Sequence, residues 1–89
     1  NDVLAVGALR SARELNLNVP KDVSIIGFDD IELAQVAYPA LTTVHVPHRE
    51  MGVFAAKALA NLIKEGTALK SIPLKTKLVF RDTLAAVAP

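Results

Sequence analysis

Two adjacent carboxylates, Asp29 and Asp30, end the run Val-Ser-Ile-Ile-Gly-Phe-Asp-Asp at residues 23–30, and no other groups in the chain are better placed to do chemistry. An apolar, β-branched run of this length reads as a buried parallel strand, here residues 23–27. In open α/β sheets the ligand crevice lies beyond the carboxyl ends of the strands. An ionised carboxylate at such a tip can accept two hydroxyl hydrogen bonds, each strengthened by its charge. The competing role is structural, with both residues starting the next turn and capping a short segment at residues 31–37. Asp29 suits either role, and Asp30 suits the cap.

The remaining candidates for chemistry are sparse. His45 and His48 stand three apart on a strand-to-loop segment rather than on one helical face, and the chain has no cysteine, so no metal site is expected. There is no Gly-rich phosphate loop, no nucleophile elbow and no acid/base carboxylate pair beyond the adjacent Asp29 and Asp30. No catalytic residue and no cofactor are assigned, and an enzyme is the weaker class. Lys57, Lys64, Lys70, Lys75, Lys77 and Arg81 make the second half mildly basic, but Glu65 and Asp82 dilute it and the net charge is only +1. No basic stripe or reading motif for nucleic acid results, and the charges read as a solvated face.

These side chains need an alternating α/β scaffold to position them. Asp2 is a good N-cap for a helix running to about Leu15, with Asn16 or Asn18 near its end. Val3, Val6, Arg10 and Arg13 form one stripe of that helix, and small and aliphatic residues cover most of the rest. A helix apolar nearly all round is buried on more than one side, by a sheet and by a second body. Residues 17–22 are a loop containing Pro20. After the strand at 23–27 comes the short helical segment 31–37, ended by Tyr38 and Pro39. Residues 41–46, rich in Val and Thr, read as another strand. Residues 49–65 form the clearest amphipathic helix, stopped by Gly66. In residues 74–81, Leu74, Thr76, Leu78 and Phe80 alternate with more polar neighbours and are expected to face inward. Residues 84–89 carry no period and read as a frayed tail. Gly7, Gly27 and Gly52 read as packing or turn glycines.

Eighty-nine residues allow one small domain at most, and 52% of them are hydrophobic, with no Trp to anchor a core. That is more apolar surface than one small sheet covers. The chain also opens directly on a helix, as though a strand and a turn preceded it, so it is expected to be part of something larger. No apolar run approaches membrane-spanning length and no signal peptide opens the chain, and the lack of cysteine is compatible with a reducing cytoplasm.

Taken together, the order and spacing of several segments resemble the LacI/GalR bacterial transcription regulators. The segments are Asn1-Asp2 with Ala5, Gly7 and Ala8; Asn-Val-Pro-Lys-Asp-Val-Ser-Ile-Ile-Gly-Phe-Asp-Asp at 18–30; Pro39 with Leu-Thr-Thr-Val at 41–44; Met51-Gly52 with Ala55; and Leu-Val-Phe-Arg-Asp-Thr at 78–83. The resemblance spans nearly the whole chain but only the C-terminal part of that family's effector-binding and dimerisation domain. The DNA-binding headpiece is absent.

The resemblance implies an α/β fold, a fragment of the type I periplasmic-binding-protein-like architecture. There a parallel sheet is flanked by helices and crossover strands join two lobes around a small molecule. Residues 1–46 and 74–83 would belong to the C-terminal lobe, residues 48–66 would be a helix of the N-terminal lobe, and residues 84–89 a tail. Asn1, Asp29 and His48 fall on effector-binding positions, the effector being a sugar or a purine-like molecule. Val3, Val6, Arg10, Val36 and Ala37 fall on the interface of a homodimer formed through the C-terminal lobe. Operator DNA would be bound only by the missing headpiece, in the cytoplasm, with no membrane involved. Asn1 supplies donor and acceptor together, as a hydroxyl requires. The alternative is a periplasmic sugar-binding protein of a transporter. The Val-Pro-Lys-Asp lead-in at 19–22 and the segment 39–43 favour the regulators.

Overall fold

The computed structural model describes residues 1–68 and 70–87. The chain divides into two units, one made of Asn1–Val46 with Lys77–Pro89 and the other of Pro47–Thr76.

In the first unit, α1 (Asp2–Glu14) begins with Asn1 as its N-cap, whose Oδ1 accepts the Leu4 N–H at 3.0 Å. Asp2 was expected to be the cap. It lies instead one residue inside the helix and is buried. The helix stops in a Schellman arrangement. Asn16 turns left-handed (φ 59), its N–H donates to Arg13 C=O, and Leu17 N–H reaches back to Ala12 C=O at 2.8 Å. Only one stripe of α1 is buried, Asp2, Ala5, Leu9 and Ala12. Ala5 and Leu9 form the core with Ala34 of the single-turn helix α2 (Glu32–Val36) and Leu41, both fully buried.

Parallel pairing is present but short. The segment 25–29 runs beside β1 (Thr43–His45), bridging at Ile26–Thr42 and Asp29–His45. Gly27 N–H donates to Thr42 C=O, and Asp29 N–H to Val44 C=O, both at 2.9 Å. On its other edge β1 pairs antiparallel with β2 (Lys77–Val79), with Thr43 opposite Val79 and His45 opposite Lys77.

Three expectations are corrected here. The run 23–27 is not buried on both faces, since Ile26 is 48% and the following Phe28 49% exposed. Alternate side chains point to opposite faces, and only one face carries the α1 core. In 74–81 the strand covers only Lys77–Val79, and the expected inner residues Leu78 and Phe80 are 40% and 69% exposed, while Val79 and Arg81 are half-buried. The pairing decides this, because residues directly opposite share a face and Val79 lies opposite the fully buried Thr43. Nor does the tail fray at once. Just before it Thr83 is buried and its Oγ1 donates to Ile25 C=O at 2.6 Å, and within it Ala85 N–H donates to Ser24 Oγ at 3.0 Å. Ala88 and Pro89, the end of the expected tail, lie outside the described residues, as does Leu69 in the loop after α3.

The second unit is built on α3 (His48–Glu65), which starts one residue earlier than its periodicity suggests. Gly66 closes it with φ 68, where a Cβ is disfavoured, and its N–H donates to Leu62 C=O. None of the helix's residues is buried, and Phe54, Ala58 and Asn61 are half-buried.

Candidate functional site

The start of α1 and the end of the 25–29 segment meet through one backbone bond, Asp2 N–H to Phe28 C=O at 3.1 Å. Asn1 and Asp29 each adjoin one of the two bonded residues, so two of the three expected effector residues come together. Asp2 makes the junction. Its carboxylate is fully buried, yet Oδ1 accepts the Thr43 hydroxyl at 2.6 Å and Oδ2 accepts the Ile31 N–H at 2.8 Å. A buried carboxylate without such donors would cost several kcal/mol, roughly, and the first turn of a helix also favours a negative charge. Gly27 is what admits it. A Cβ there would fall on the Asp2 carboxylate and 2.8 Å from Leu41 Cδ2.

Asp29 and Asp30 both have positive φ, 116 and 59. Each such residue costs on the order of 1–3 kcal/mol and persists only where its surroundings hold it. Asp30 is held from two sides. Its Oδ1 accepts from Arg81 Nη2 at 2.8 Å, and its Oδ2 lies 2.9 Å from His45 Nδ1. Arg81 is itself fixed, its Nη1 donating to Leu41 C=O and its backbone N–H to Thr42 Oγ1. Partial burial of Asp30 opposes its charge, but the bonds from Arg81 and His45 outweigh that and hold the carboxyl below its ordinary pKa. Asp30 is thus an ion-pair partner rather than the helix cap expected of it, and Ile31 caps α2 with no side-chain bond.

The other expected residues are placed as follows. His48 is exposed and opens α3 in the second unit. On the first unit, Val3 and Val36 are 61% and 72% exposed, Arg10 is exposed, and Val6 and Ala37 are half-buried. Val6, Arg10 and Ala37 line one open groove of about 400 Å³ between α1 and the segment after α2, together with Tyr38. Arg13 ties α1 to the segment that follows α2, its Nη2 donating to Tyr38 C=O at 2.8 Å. Val3 and Val36 lie outside the groove's lining. Among the described residues no group of three or more His, Cys, Asp or Glu could hold a metal ion, and no helix is long and apolar enough to cross a membrane.

Asp2 and Arg81 were not marked by sequence as site-forming residues. An acidic residue in a first helical turn has an ordinary explanation, and Arg81 lies 51 residues from its partner Asp30. The one local hint was Gly27 within an otherwise β-branched run, which signals close approach of another group.

The periplasmic binding protein-like domain matches residues 1–84. The chain is 39% identical over 88 residues to the HTH-type transcriptional repressor PurR of Vibrio vulnificus (strain CMCP6), covering 98% of this chain and 26% of the repressor. The chain thus spans about a quarter of the length of that relative. Among solved structures, the transcriptional regulator CelR–cellobiose complex is similar with a TM-score of 0.87 at 33% identity, covering 93% of this chain and 26% of CelR. The lac repressor dimer bound to operator and the anti-inducer ONPF is similar with a TM-score of 0.86 at 34% identity, covering 97% of this chain and 30% of the repressor. With the fold and these likenesses in hand, the chain belongs to the periplasmic binding protein-like domain family, in the form carried by the effector-binding domains of LacI/GalR regulators.

Proposed function

We propose that this chain is the small-molecule-sensing and dimerisation portion of a bacterial transcriptional repressor that works in the cytoplasm, with a sugar as the favoured effector class. Asn1, Asp29 and His48 contact the effector. Residues 1–46 and 74–83 belong to the C-terminal lobe and residues 48–66 to the N-terminal lobe. A helix-turn-helix elsewhere in the full-length protein binds operator DNA, and the effector acts by shifting the population of two dimer states. The protein senses rather than transforms its ligand. The observation that carries this reading is the Asp2–Phe28 backbone bond, which joins the chain next to Asn1 to the chain next to Asp29. The relatives support it: one is a repressor, one is described bound to cellobiose, and one is a dimer on its operator with a small molecule.

The test is calorimetric titration of the full-length protein with pentoses, hexoses, cellobiose and purines. Asp29→Ala is expected to weaken the effective sugar by about 1.5–3 kcal/mol, the worth of a hydrogen bond to a charged group. An unchanged response would remove Asp29 from the site. The dimer is formed through Val3, Val6, Arg10, Val36 and Ala37, and Val6→Asp is expected to shift the protein towards monomer in sedimentation at micromolar concentration. A dimer untouched by that change would place the interface elsewhere.

A further inference from the structure

We propose that Asp2 is a positioning residue of the effector site, its buried carboxylate holding Asn1 and Asp29 in binding geometry before a ligand arrives. The proposal rests on the reading of this chain as an effector-binding domain. Asp2 is fully buried and cannot touch an effector itself. Its backbone N–H holds Phe28, the residue before Asp29, and its Oδ2 holds Ile31 N–H, the residue after Asp30. The two left-handed residues are therefore bracketed, with the chain fixed to Asp2 where it enters the turn and again where it leaves. The third attachment, Thr43 Oγ1 to Oδ1 at 2.6 Å, anchors the carboxylate to β1, whose Val44 C=O accepts the Asp29 N–H. Asn1 precedes Asp2 directly and is fixed in turn by its own cap bond to Leu4 N–H. A carboxylate is needed because each oxygen faces a donor. An asparagine in its place would lose the charge that strengthens both bonds, and its NH2 group could meet the Thr43 hydroxyl only if that hydroxyl turned to accept. Preorganisation of this kind raises affinity by removing the cost of ordering the turn on binding.

The experiment uses the full-length protein, with cellobiose, glucose, ribose and guanine as the probes and calorimetry as the readout. Asp2→Asn, folded by circular dichroism, is expected to weaken the probe that binds by roughly ten-fold. Asp29→Asn should then cost less in that background than in the unaltered protein, since residues acting through one another are not additive. A purely structural role would lower melting temperature and leave the folded protein's Kd, and the additivity, unchanged. Should Asp2→Asn fail to fold, Thr43→Val and Thr43→Ser decide. Valine removes the bond to Oδ1 and is expected to weaken binding several-fold, while serine keeps the hydroxyl and restores it. Equal, unaltered affinity in both overturns the proposal. If the unaltered protein binds none of the probes, the functional reading fails in its sugar-or-purine form. The positioning claim is then settled by amide exchange. Faster exchange of Asp29 and Ile31 N–H in Thr43→Val than in Thr43→Ser supports it, and equal rates overturn it.

Discussion

The junction around Asp2 and the helix α3 solve opposite problems. In the first region polar groups are buried or half-buried and each is answered: Asp2 by Thr43 and Ile31, Asp30 by Arg81 and His45, Thr83 by Ile25. Among the described residues no buried side-chain polar atom lacks a hydrogen-bond partner. In α3, 18 residues long, nothing is buried. The helix stands on propensity and on Gly66, and its Val53 and Phe54 line an open groove with Ile72 and Leu74 that Arg49, Glu50 and Lys57 also border. Tertiary contacts therefore specify the geometry of the first region, and local rules specify the second.

The largest expected break in that contrast is Leu41→Ala. Leu41 is fully buried in the core, and its truncation is expected to cost about 2–5 kcal/mol in denaturant unfolding. Leu62→Ala on α3, at a site 46% exposed, should cost roughly 1 kcal/mol or less. Comparable losses would mean that α3 is as tightly covered as the core.

Next in size is Arg81→Gln, which leaves Asp30 without its strongest partner and is expected to cost about 1.5–3 kcal/mol near pH 7. Its pH dependence sharpens the comparison. The Asp30 carboxyl is held below its ordinary value in the folded protein. Its contribution is therefore complete above the unfolded carboxylate pKa of about 3.9 and is lost as pH falls through the lower folded value. Asp30→Asn should flatten the stability profile in that acid window. An unaltered profile would show that the ion pair contributes nothing there.

The smallest effects lie at the helix ends. Gly66→Ala forces a Cβ into the left-handed region and is expected to cost about 1–2 kcal/mol of local α3 stability. Asn16→Gly relieves the same conformation in α1 and should stabilise by a few tenths of a kcal/mol, roughly. The exposed Arg10–Glu14 pair, 3.3 Å apart, should contribute under about 0.5 kcal/mol, so Glu14→Gln is expected to be nearly silent in the same unfolding measurement.

What could be read from sequence was whatever depends on neighbours in the chain. The 3.6-residue pattern placed α1 and α3 to within a residue or two, Asn16 and Gly66 marked their ends, and the β-branched run carried Asp29 and Asp30 to its tip. The family resemblance rested on the same local motifs. The tertiary structure alone decided which carboxylate does what. Asp2 and Asp30 both look like helix caps along the chain, yet one is a buried junction and the other an ion-pair partner. Their donors, Thr43 and Arg81, lie 41 and 51 residues away. The face that 77–79 turns inward was equally hidden, because alternation offers two faces and only pairing with β1 selects one. Local sequence sets backbone preference and period, but a buried charge takes its role from partners that only the folded chain brings within hydrogen-bond reach.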